Sequence, residues 1–97
     1  MEPTFTFKSK MWLWQGKGAW HFITVPLNLS KKIKGFHEGP RKGFGSIPVA
    51  VTIGKTTWKT SIFPTKEGTY VLPIKKDIRK KENLELNKNI EVNITLQ

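Results

Sequence analysis

The chain has no cysteine among its 97 residues, which rules out disulfide stapling and thiolate chemistry and fits a reducing compartment. It also lacks any run approaching the ~20 apolar residues of a membrane-spanning helix. The opening MEPTFTFKSK holds no uninterrupted apolar segment of the secretory-signal kind. These absences set the expectation of a cytoplasmic protein with no membrane partner. Acids are scarce: 7 Asp and Glu face 17 Lys and Arg, for a net charge of +10. Histidine is scarcer still, with His21 inside a strand pattern and His37 in a loop.

Those shortages bear on catalysis. A nucleophile needs a base within reach, and Ser46 and Ser61 qualify by residue type alone. A glycosidase-like pair needs two close carboxylates. Most of the acids instead lie late in the chain, interleaved with lysine or on the last strand. A metal site needs three or four clustered ligands, and His37-Glu38 supplies two. Gly16-Lys17-Gly18 and Gly43-Phe44-Gly45 are too short for phosphate loops. The expectation is a protein that is not an enzyme and carries no cofactor.

What is present is mostly alternation. In RKGFGSIPVAVTIGKTTWKTSIFP (41–64), Ile47, Val49, Val51 and Ile53 share one side of a strand. A Gly54-Lys55 turn leads to a second strand with Trp58, Thr60 and Ile62 on one side. Phe5, Phe7, Met11 and Leu13 alternate earlier, near 3–14, until Trp12 and Trp14 fill the other parity. That break implies either cover on both faces or a bulge. Gln15-Gly16-Lys17-Gly18 reads as a hairpin turn. AWHFITV (19–25) is apolar on both faces, so it should be central or covered by a helix, with Trp20 in the core. Trp58 is also expected in the core.

Leu29, Ile33 and Phe36 are spaced as a helical stripe, which Asn28 or Ser30 can cap. Pro48 inside a strand must turn its missing N–H to an edge or bulge. Tyr70, Leu72 and Ile74 alternate in a fifth strand. Lys75 to about Asn83 reads as a short helix with Ile78 inward. Ile90, Val92, Ile94 and Leu96 form a last strand. The expected order is β-β-α-β-β-β-α-β in one domain. The expected fold class is all-β: a small six-stranded barrel with two short helices, closed because closure removes exposed edges.

The run Arg41, Gly43-Phe44-Gly45-Ser46-Ile47, Val49, Val51-Thr52-Ile53-Gly54, Thr56, Trp58, Thr60-Ser61, Phe63-Pro64 resembles the domain-of-unknown-function 1905 family. So does its continuation through Gly68, Tyr70, Leu72-Pro73, Lys75 and Arg79, and so does the upstream Trp20, Phe22, Val25-Pro26. Lys88-Asn89 departs from the Gly-Asp common in the family's last turn. The resemblance implies a double-split β-barrel and supplies no activity. A shorter stretch, Leu72 to Arg79 with Ile90-Glu91-Val92, is similar to AbrB and MazE barrels, which are DNA-binding dimers.

Two binding readings follow, both for an acidic partner. The first is a small anionic ligand or protein held by Arg41, Lys42, Ser46, Lys55, Trp58, Lys59 and Ser61. There the arginine fork suits carboxylate or phosphate and a barrel mouth offers the pocket. The second is nucleic acid, with phosphates met by Lys31, Lys32, Lys34, Lys75, Lys76, Arg79 and Lys80, and bases stacked on tryptophan. Monomer and homodimer both remain open.

Overall fold

The computed structural model describes residues 3–36 and 45–97. Six strands form in it: β1 (Thr4–Gly16), β2 (Gly18–Val25), β3 (Ile47–Ile53), β4 (Thr56–Pro64), β5 (Tyr70–Pro73) and β6 (Asn89–Leu96). Helix α1 (Leu27–Phe36) follows β2, and α2 (Lys76–Lys81) follows β5. The strands close into an antiparallel barrel in the order β1-β2-β5-β4-β3-β6, so the all-β, six-stranded expectation holds.

Two long strands make closure possible by changing partners part-way along. β1 pairs with β6 from Thr4 to Lys10 and with β2 from Met11 to Gly16. β4 pairs with β3 from Thr56 to Ile62 and with β5 only at Phe63 and Pro64. Each therefore belongs to two sheets and turns the corner between them, as in other strand-sharing packings. At the second corner β5 is short, and it leaves the sheet for α2 before reaching the level of Thr60.

The interior takes the inward parity of each strand. Met11, Ile23, Val25, Val49, Val51, Ile62, Leu72, Val92 and Ile94 are almost wholly shielded from water. Each such side chain contributes about 1.5–3 kcal/mol of transfer free energy. Ile33 of α1 and Ile78 of α2 add to the same core. Pro48 is tolerated because it sits past the end of the β3–β6 ladder: its carbonyl accepts from the Gln97 N–H at 3.2 Å, and its missing N–H falls beyond the last pair, Val49↔Leu96.

Three local expectations change. Ser30 does not cap α1, which already begins at Leu27. Ser30 is buried one turn in. Its hydroxyl donates to the Val25 carbonyl at 3.0 Å and accepts from the Tyr70 N–H at 3.1 Å. It thus fastens the helix to the end of the β2–β5 ladder. Phe36, placed on the apolar stripe, is 63% exposed and meets Phe5 of the barrel edge-on at 5.9 Å. Finally, no bulge relieves the break at Trp12 and Trp14. Pairing runs without interruption from Met11↔Ile23 to Gly16↔Gly18, so both indoles stand on the outer face.

Among the described residues no helix is long and apolar enough to cross a membrane.

Candidate binding groove

The outer face of β1, β2 and β5 is where the structure departs most from the sequence reading. The hairpin turn centred on Lys17 sets the register, pairing Trp12 with Phe22 and Trp14 with Trp20. All four side chains share the parity opposite Met11, Ile23 and Val25, so they project away from the core. Trp20, expected inside, is 49% exposed, and Trp14 is 45% exposed. Among the described residues no helix covers this face: α1 is pinned at the Val25 end and α2 leaves from the end of β5. The rings instead pack on one another. Trp20 lies parallel to Phe22 at 6.0 Å, and Phe22 meets Trp12 at 5.3 Å. The Trp12 indole is anchored by a 2.9 Å hydrogen bond from Nε1 to the Thr24 hydroxyl. The Trp14 ring folds back over the backbone of Gly16, where a Cβ would overlap it.

These rings form one wall of a groove of about 690 Å³. Val71 and Pro73 of β5 and Phe63 of β4 complete the floor, and Thr65, Glu67 and Thr69 of the β4–β5 turn close one end. A second hollow of about 460 Å³ adjoins the other end and shares Trp20, Phe63 and Pro73 with the first. It occupies the gap beyond the tip of β5 and is lined by His21, Thr60, Ile74, Lys75, Lys76 and Arg79. The register fixes the polarity of the whole. Thr24 pairs with Val71 next to the Glu67 turn, while Phe22 pairs with Pro73 next to the lysines. Acid and base thus lie at opposite ends, with the four residues of β5, roughly 13 Å of strand, between them.

The basic end is organised by backbone bonds. The Ile74 N–H donates to the His21 carbonyl at 2.9 Å, extending the contact with β2 one residue past the end of β5. Arg79 folds back from α2 and donates through Nη1 to the Ile74 carbonyl at 2.8 Å, which holds its guanidinium beside His21. Burial, and then the positive charge of Arg79, lower the His21 pKa below its ordinary value of 6.5. Nδ1 of His21 is buried with no hydrogen-bond partner in this structure.

Of the first sequence-based reading, none of the described residues lines this groove or its basic hollow, and Arg41 and Lys42 lie outside the described residues. Ser46 precedes β3 and is half-buried, and Lys55 stands on the β3–β4 turn. Trp58 packs against the core from the inner face of β4, whereas Lys59 and Ser61 have the opposite parity. In the second set, Lys75, Lys76 and Arg79 meet at the basic end, and Lys80 is exposed on α2. Lys31, Lys32 and Lys34 are exposed on α1.

A family model described as Domain of unknown function (DUF1905) matches residues 7–94. The chain belongs to this family. The matched span includes every residue that lines the DUF1905 groove and its basic hollow, from Trp12 to Arg79. No curated protein matches the chain. The family's description names no activity, so the chemistry of the DUF1905 domain has to be read from its surface.

Proposed function

We propose that the domain is a binding module, not an enzyme, and that its ligand carries an anionic group on an apolar or flat body. The observation that carries this reading is the junction at Trp20. There a groove walled by aromatic rings opens directly onto Lys75, Lys76 and Arg79. The volume falls in the range of small-molecule sites, which are mostly apolar with a few convergent polar groups. Arg79 offers a planar fork already held by Ile74, and the two lysines add point charges. The charge of +10 draws anions toward the whole surface, and the groove supplies the place where apolar contact can be added. Among the described residues lining the basic hollow no carboxylate stands beside His21 to orient it as a base, and the cations there suit holding an anion.

Thermal unfolding in the presence of nucleoside monophosphates, aromatic carboxylates and inorganic phosphate tests the proposal. A ligand at a hundredfold excess over its Kd stabilises by about 2.7 kcal/mol, or more than ten degrees in a domain of this size at roughly 4–8 °C per kcal/mol. Stabilisation should saturate, and it should weaken in both Trp20→Ala and Lys76→Ala. Unchanged stabilisation in those variants, or none with any anion, would refute the proposed site.

A further inference from the structure

We infer that the occupant of this groove is a single-stranded nucleic acid, its bases stacked on Trp14 and Trp20 and its phosphates held at the Lys75–Lys76–Arg79 end. The inference rests on the groove being an anion-binding site and adds the class of ligand.

Three observations favour it. First, Trp14 and Trp20 are register partners and nearly half exposed, so two flat faces stand side by side on one sheet. Their neighbours hold them: Trp20 is stacked on Phe22, and Trp14 rests on Gly16. Pre-set aromatic faces of this kind accept any base and need no sequence-specific hydrogen bond. Second, the cations are beside the rings, not among them. Lys75 and Lys76 stand where β5 runs into α2, at the mouth of the hollow that shares Trp20. A strand lying along the groove would stack bases on the rings while its backbone follows the cations. Third, the charge selects among occupants. A second copy of this chain would bring another +10 and its own lysines to the same face. A duplex hides its base faces, so it would leave the exposed rings unused. Glu67 gives the groove a direction, because phosphates avoid the end it closes.

The test is titration of the intact domain with short oligothymidylate and oligouridylate, read by quenching of tryptophan fluorescence and by anisotropy of a labelled strand. Three phosphate contacts predict a log–log salt slope of roughly −2 for a single strand, so affinity should fall about twentyfold between about 50 and about 200 mM salt. Trp20→Ala, and separately Trp14→Ala, should each weaken binding about tenfold while the melting temperature holds. Lys76→Ala should reduce the slope by about 0.7. Glu67→Gln should tighten binding.

Equal affinity for duplex and single strand with unquenched fluorescence would overturn the inference, since it would mean phosphate contact alone. Saturable binding of a mononucleotide or aromatic carboxylate without binding of either oligomer would overturn it and leave the anion groove standing. So would binding of an acidic peptide alone. No binding of any anion would remove both readings together.

Discussion

Ser30→Ala isolates a single buried hydroxyl that joins three elements. In the folded chain this oxygen is fully shielded, accepts from the Tyr70 N–H at 3.1 Å and donates to the Val25 carbonyl at 3.0 Å. Alanine leaves shape and helix propensity almost unchanged, so the loss is confined to the two bonds. A buried backbone group deprived of its partner costs about 1–3 kcal/mol, and two such groups together should cost about 2–6 kcal/mol. For a domain of this length that lowers the melting temperature by roughly 10 °C or more. Urea unfolding and calorimetry measure the change directly. Asn28→Ala, exposed in the same helical turn, provides the contrast and should stay within about 0.5 kcal/mol of the parent. If Ser30→Ala also stayed within about 0.5 kcal/mol, the hydroxyl would not be the fastening described here. If Asn28→Ala were the costlier change, the helix would be capped from Asn28 after all.

Other substitutions probe other joints. Gly54 has φ +58°, and a Cβ there would run into the Glu82 carboxylate that accepts from the Thr56 hydroxyl at 2.6 Å. Gly54→Ala should cost roughly 1–3 kcal/mol in urea unfolding. Gly54→Asn, which tolerates the backbone angle, should recover only part, because the collision remains. Gly16→Ala should displace the Trp14 ring and red-shift tryptophan emission with little loss of stability. His21 titrates below 6.5 in the folded chain, chiefly from burial and secondarily from Arg79. The unfolded chain then binds more protons just below that pH, so the stability His21 contributes is complete above about 6.5 and is lost as pH falls through its lower folded value. NMR should place the His21 midpoint under 6.5 and show it rising in Arg79→Ala; a midpoint above 6.5 would contradict the assignment.

The barrel was largely legible because period-2 alternation is strict where one face is buried. Ile47 to Ile53 and Ile90 to Leu96 announce their inner faces without ambiguity, and the corresponding residues are all buried. The groove was harder to see, because β2 is apolar on both parities and alternation cannot say which side is the core. The aliphatic set, Ile23 and Val25, went inside, and the aromatic set, Trp20 and Phe22, went out. One signal was available. A turn centred on Lys17 makes Trp12 face Phe22 and Trp14 face Trp20, so the residues that broke the alternation on β1 and the misplaced tryptophan on β2 belong to one patch. The role of Ser30 left no such trace, since a serine near a helix start looks like a cap whichever way its hydroxyl turns. The meeting of Lys75 and Arg79 with Trp20 depends on which strands lie side by side beyond the end of β5, and alternation within a strand carries no record of its neighbours.

The pairing of β1 with β6 has a consequence for how the domain is made. Thr4 faces Thr95 and Lys10 faces Asn89, so the seam joins segments from opposite ends of the chain. In a nascent chain the apolar side of Thr4–Lys10 stays without its partner strand until β6, 79 to 91 residues further on, has been made. The ring cannot shut until residues 89–96 are free. Seams this distant in sequence slow folding, because a large loop must be closed before any contact rewards it. Joining the present ends by a short linker and opening the chain at the Lys17 turn would make that seam local.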